Sequence, residues 1–353
     1  MAKNESIIEA ARRLSDQMKK DEAVRVTIAL FGQPGSGKSS LINRLVGQNL
    51  APVGVATDQT VKASAYEYNG VHLVDLPGLD TRRFPKETFW RDFHLDTFDL
   101  FLCVFSEKLG AAEADMFRLL HEKGKICLFV RNKRDVLWDE HKSVDALTAE
   151  IARDVKLQVH SDVSVFFTSC RDGFGLGELS TAIAVHLEGA KQSRWIEGAK
   201  AYTEEFLEKK REIAKKKVKV NAFLSAANAV NPIPGADLAV DISILLSTFR
   251  AIRASYGLTD QSILTAREFG IPALGQLAGN IVKFSTREGV LSLLQRFLGR
   301  TLTAEAAKFV PLLGQAVAAT AGFSITYAAG SSFLNDCHEM AEAILSRELA
   351  RHR

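Results

Sequence analysis

The stretch "FGQPGSGKSS", residues 31–40, follows the apolar alternation Val24, Val26, Ile28 and Leu30. A flexible loop that closes a strand and opens a helix leaves few folds open. Its glycines let the backbone curl so that N–H groups point inward. A helix beginning near Lys38 adds the partial positive charge of its N-terminus at the same place. Gly32, Gly37, Lys38 and Ser39 fit the spacing G-x-x-x-x-G-K-[ST], which predicts a phosphate cradle. Gly32, Gln33, Pro34, Gly35, Ser36, Gly37, Lys38, Ser39 and Ser40 line it. Lys38 is expected to reach the β- and γ-phosphates, and the Ser39 hydroxyl to bind Mg²⁺. A ligand-free glycine turn is the plain alternative, and the strand-to-helix placement argues against it.

The surrounding pattern gives the loop its context. Strand-like runs occupy 24–30, 61–68, 71–75, 100–105, 126–132 and 163–169, with helix-like segments at 38–47, 86–95, 111–123, 143–158 and 176–188. Most of the strands are nearly continuous apolar runs, as in strands covered on both faces. This alternation predicts an α/β, mostly parallel, doubly wound domain over residues 24–190, which the glycine loop and the motifs at its later strand ends make a Ras-like P-loop G domain. After about Lys191 only helical patterns remain, broken at "NPIPG", "GIP" and "REG". Residues 191–353 therefore read as an all-α helical domain, and 1–23 as a helical segment that packs with it.

Three downstream pieces choose the nucleotide. "DLPG" ends the third strand: Asp75 would hold Mg²⁺ and the Gly78 N–H would meet the γ-phosphate. "NKRD" follows the fifth, as Asn132, Lys133, Arg134 and Asp135. A carboxylate at Asp135 can accept from N1–H and N2–H₂ of guanine, donors that adenine lacks. The Lys133 stem would lie over the base, while a plain charged turn is the other reading. "TSCRD" closes the sixth strand, where Ser169, the Cys170 N–H and Arg171 would flank the base. All of these lie at strand C-termini, where α/β sheets bind ligands. GTP and GDP are the expected nucleotides. In the first switch Thr60, with Thr57 in reserve, is the expected triphosphate-state ligand of Mg²⁺. Leu79 follows the switch glycine and cannot polarise water. Slow hydrolysis in the monomer is expected, with Arg82 and Arg83 as candidates to act across a dimer.

"GQPGSGKSSLINRLVG", "DLPGLDTRRFPKETFW" and the helical domain that follows resemble the immunity-related, or interferon-inducible, GTPases and their bacterial relatives. The likeness is firm over 24–170 and looser beyond; Asn132 stands where many members have threonine. The resemblance implies a dynamin-like protein: GTP-dependent self-assembly into homodimers or homo-oligomers, hydrolysis stimulated by assembly, and action at intracellular membranes. A non-assembling regulatory switch that binds an effector through its helical domain is the alternative.

Composition excludes several other classes. A net charge of +3 is too small to argue for nucleic acid. The four cysteines show no CxxC spacing, so neither a zinc site nor a disulfide framework is expected. The polar N-terminus has no apolar core of a signal peptide. A cytoplasmic setting is expected, with peripheral contact to anionic membrane as an open question. Residues 309–335 carry no charge but contain Pro311, Gly314, Gly322 and Gly330. A buried core helix is the plainer reading, against a membrane hairpin. Residues 209–220 hold seven lysines and arginines against one glutamate, either a solvated helix face or a lipid-facing one. Asp135→Asn should abolish the preference for GTP over ATP, as read by competition binding.

Overall fold

The computed structural model describes residues 7–53, 63–77, 86–228, 236–301 and 315–351. The chain divides into two units. One runs from Val24 to Tyr202, and the other joins the N-terminal helix to the residues from Thr203 onward.

The first unit is built on a six-stranded sheet: β1 (Val26–Phe31), β2 (Ser64–Tyr68), β3 (Val71–Asp75), β4 (Leu100–Phe105), β5 (Cys127–Arg131) and β6 (Val165–Phe167). The order is β2-β3-β1-β4-β5-β6, with every pairing parallel except β2 with β3. β4 is buried at all six positions, which explains its unbroken apolar run. β2 is the antiparallel edge and alternates between half-buried and exposed residues. The connections are α2 (Lys38–Val46), α3 (Lys86–Asp92), α4 (Ala111–Glu122), α5 (Val144–Val159) and α6 (Leu176–Val185). The chain leaves β1 to one side and β3 to the other, so a crevice opens at the C-terminal end of β1.

α7 (Gly189–Gly198) corrects the expected domain boundary after residue 190. It packs on β1 and β3, Trp195 is fully buried, and its indole Nε1 donates to Ser180 O at 2.9 Å. A helix that buries its tryptophan against the sheet belongs to that unit, whatever its helical pattern resembles.

The second unit contains α1 (Ile7–Ala23), α8 (Glu204–Asn228), α9 (Ala236–Ser255), α10 (Asp260–Arg267), α11 (Pro272–Phe284), α12 (Arg287–Thr301) and α13 (Gln315–Arg351). Here α1 packs against α8, and α8 against α13. Gly330 makes that last approach close: a Cβ there would come within 2.6 Å of Val218. Phe249 and Phe333 stack at 4.1 Å in the core. Ala329, Phe333 and Leu334 are buried in the same core, so this part of the uncharged run 309–335 is core helix; residues 309–314 lie outside the described residues. Among the described residues no helix is long and apolar enough to cross a membrane.

The basic run on α8 divides. Lys210 is buried and its Nζ donates to Ser255 O at 2.7 Å. Lys209 pairs with Glu205 at 2.8 Å, and Lys215 with Glu212 at 2.8 Å.

His338 of α13 is buried between helices. Its Nε2 lies 3.1 Å from Glu342 and 3.6 Å from Glu208, and its Nδ1 3.2 Å from the Tyr256 hydroxyl. Burial lowers its pKa from the ordinary value, against the pull of Glu342 and Glu208, while Arg211 adds to the lowering. A histidine depressed in the folded state stabilises while neutral, and that contribution is lost as pH falls through the folded pKa. Urea midpoints of the chain should therefore fall between pH about 7.5 and about 5.5. In His338→Gln this fall should be visibly shallower.

Candidate nucleotide site

The site begins where β1 runs out. Gly32 has φ 138° and sits against β4, where an added Cβ would meet Val104 O at 1.9 Å. The loop turns through Pro34 and Gly35 and enters α2 from Gly37, whose φ is 91°. Lys38 is buried and curls back over its own loop: Nζ donates to Gly32 O at 2.9 Å and to Gln33 O at 3.3 Å. Gln33 Nε2 in turn donates to Lys108 O at 3.0 Å, fixing the loop to the segment after β4.

Asp75 ends β3 opposite this loop. The Ser39 hydroxyl donates to its Oδ2 at 3.3 Å, and Lys38 Nζ stands 3.9 Å from Oδ1. Oδ1 is buried without a hydrogen-bond partner, as is the Ser36 hydroxyl. Burial lowers the pKa of Lys38, opposed by Asp75 and Glu113. Burial likewise raises that of Asp75, opposed by Lys38 and Ser39. Each charge is under-compensated, so an anion beside Lys38 and a cation beside Asp75 would both be favoured.

One side chain joins the loop after β1 to the loops after β5 and β6. Asn132 follows β5 and is buried, with its backbone N–H donating to Phe105 O at 2.8 Å. Its Nδ2 donates to Ser36 O at 3.0 Å. Its Oδ1 accepts from the Thr168 hydroxyl at 3.3 Å and the Cys170 thiol at 3.5 Å. Burial pushes that thiol up to about 11. Beyond Asn132, Lys133 is exposed at φ 61°. Asp135 meets Arg171 Nη1 at 3.1 Å. Ser169 is buried, and its N–H and C=O close the turn on Phe174 and Gly173.

The structure thus brings Gly32 to Ser40, Asp75, Asn132, Asp135 and Ser169 to Arg171 to one end of the sheet. Thr57, Thr60, Gly78, Leu79, Arg82 and Arg83 lie outside the described residues.

Several contributors escape a reading of motifs. Arg44 Nε donates to Cys170 O at 2.6 Å and its Nη2 to Arg171 O at 3.1 Å. Tyr202 donates from its hydroxyl to Arg44 O at 2.6 Å. Asn43 accepts from the N–H groups of Leu50 and Ala51 at 2.9 and 2.7 Å and donates to Ala51 O at 2.8 Å. The buried Arg131 donates to Asn132 O at 2.5 Å. A cavity of about 540 Å³ opens beside these groups, lined by Ser40, Arg44, Cys170, Arg171 and Tyr202 among others. Only the position of Arg44 on the helix after the loop hints at its role; its partners are more than a hundred residues away.

A curled loop at the end of β1, a carboxylate at the end of β3 and an asparagine-led loop after β5 define a P-loop GTPase G domain, and the chain also carries a helical unit. The chain matches the family described as Interferon-inducible GTPase over residues 1–348. It is 24% identical to Interferon-inducible GTPase 5 of Rattus norvegicus over 97% of this chain and 80% of that protein. It is 26% identical to T-cell-specific guanine nucleotide triphosphate-binding protein 2 of Mus musculus, over 69% of this chain and 63% of that one. Among solved structures, Era of Aquifex aeolicus bound to GDP·AlF4⁻ aligns with 56% of this chain and 66% of its own, at 20% identity and a TM-score of 0.37. The chain belongs to the interferon-inducible GTPase family and is a GTP-hydrolysing enzyme.

At Gly37 an added Cβ would lie 2.3 Å from Asn132 Nδ2. Gly37→Ala must also adopt a left-handed backbone at a cost of roughly 1–2 kcal/mol. Guanine nucleotide affinity should drop about tenfold or more, measured by fluorescence titration, with little change in helical circular dichroism.

Proposed function

We propose that the chain is a dynamin-like GTPase whose nucleotide state controls self-assembly through the G domain, acting in the cytoplasm at the surface of intracellular membranes. The convergence of Lys38, Asp75, Asn132 and Asp135 on one sheet end carries the nucleotide part of this reading. Asp135 would accept from the guanine edge, Asn132 would keep the base loop in register with the phosphate loop, and Lys38 would turn from its own carbonyls to the β- and γ-phosphates. Ser36 and Ser40 would serve the phosphate chain, and Lys133, Ser169 and Cys170 the base.

Mg²⁺ fits the residues present, because Asp75 Oδ1 is a buried oxygen without a donor and the Ser39 hydroxyl lies on the same carboxylate. Ser39, Asp75 and, in the triphosphate state, Thr60 would hold it. When bound, it would offset the charge that builds on the phosphates. Lys38 opposes the same charge, and the P-loop N–H groups orient the triphosphate. Gly78 would sense the γ-phosphate.

Assembly is supported by Leu79, which supplies no group to orient water; a second subunit would complete the site. Val136, Trp138 and Phe174 are exposed apolar residues beside the base loops, as a contact surface requires. Membrane contact is supported by the exposed Lys215, Lys216 and Lys219 of α8. Nucleic acid is not among the expected partners.

GTP turnover and sedimentation across a protein dilution series test this directly. Turnover per subunit should rise several-fold with concentration, and anionic liposomes should sediment with the GTP-bound chain. Lys38→Ala should lose nucleotide-dependent assembly. Turnover independent of concentration, with no liposome binding in any nucleotide state, would leave the non-assembling regulatory switch.

A further inference from the structure

The carboxylate proposed to read the base already has a donor. Asp135 Oδ2 lies 3.1 Å from Arg171 Nη1, and the Asp135 side chain is only 14% exposed against 77% for Arg171. The acceptor is set into the site, and the arginine reaches over it from solvent. The Arg171 backbone is pinned, since its carbonyl and that of Cys170 both accept from the Arg44 guanidinium. Movement at this position therefore belongs to the Arg171 side chain.

A guanidinium and the Watson–Crick edge of guanine offer the same thing to a carboxylate: adjacent N–H donors on an N–C–N unit. We infer that Arg171 is an internal competitor for guanine, its guanidinium occupying Asp135 in the unliganded chain until the base displaces it. This rests on the reading of Asp135 as the guanine acceptor. Guanine replaces what it displaces, donor for donor. Adenine does not, and would leave Asp135 without a partner if Arg171 were pushed aside. The arginine thus lowers affinity by the same factor for every nucleotide that must displace it, and the choice of base stays with Asp135. Its effect is bounded by what an exposed ion pair contributes, a factor of about two to five, and it weakens as salt screens the exposed guanidinium.

This assignment differs from that of an arginine that flanks the base, and the two have opposite consequences. Equilibrium titration of the full chain with fluorescent N-methylanthraniloyl GDP separates them. Arg171→Ala and Arg171→Gln should both bind about two- to five-fold tighter than wild type at low salt. The gain should shrink toward nothing between about 50 mM and about 500 mM KCl. Unchanged or weaker binding in both variants overturns the competition, as does a gain that salt does not reduce. Displacement of the label from wild type by unlabelled GDP and ADP keeps the two claims apart. No preference for GDP overturns the reading of Asp135 itself, whereas a preference for GDP with unaltered variant affinity overturns the competition alone.

Discussion

The site depends on the amide of Asn132. One buried side chain donates to the phosphate loop through Ser36 and accepts from the base loop through Thr168 and Cys170. Both ends of the amide are in use, so any displacement would strand a buried polar group, at a cost of about 1–3 kcal/mol. The bond network ties together loops that are remote in sequence. It also explains why the loop must close on a glycine: the amide occupies the space that a side chain at Gly37 would need.

Around that constraint the electrostatics are left incomplete. Lys38 and Asp75 are buried close enough to feel each other but too far apart to bond, and burial pushes each toward its neutral form. A fold selected for stability alone would have closed the pair or replaced it with apolar residues. Here the ammonium is parked on backbone carbonyls and one carboxylate oxygen has no donor. The energy withheld from folding is what a bound anion beside Lys38 and a cation beside Asp75 would recover.

The two units use different means to reach order. The sheet unit places its polar groups by strand register, so the C-terminal ends of β1, β3, β5 and β6 all lie at one end of the sheet. The helical unit is held by close packing, as at Gly330 and the Phe249–Phe333 stack, with a few buried polar contacts set among the helices. Lys210 on Ser255 O and Asn221 on the Thr248 hydroxyl at 2.6 Å are two of these. The charge run of α8 serves both purposes, since one lysine is spent inside the bundle while its neighbours face solvent or pair along the helix.

Much of this was legible in the sequence because it is local. The strand–loop–helix at 26–46 and the alternation of apolar runs depend on neighbouring residues, and so does the placement of Asp75 at a strand's last residue and of Asn132 and Asp135 just past one. The pattern decided the α/β class and the nucleotide-binding edge. Tertiary structure alone decided the rest. α7 has an ordinary helical pattern, yet the burial of Trp195 assigns it to the sheet unit. Lys210 lies in a basic run, yet helix packing takes it inside. Tyr202 belongs to no motif, Asn43 and Arg44 sit in the stretch after the glycine loop without their partners being legible there, and the bonds of Arg44 to Cys170 and Arg171 cross more than a hundred residues of chain. Periodicity records which face of an element is apolar; it holds no record of which distant carbonyl a guanidinium will meet, because that depends on how the whole sheet brings its strand ends together.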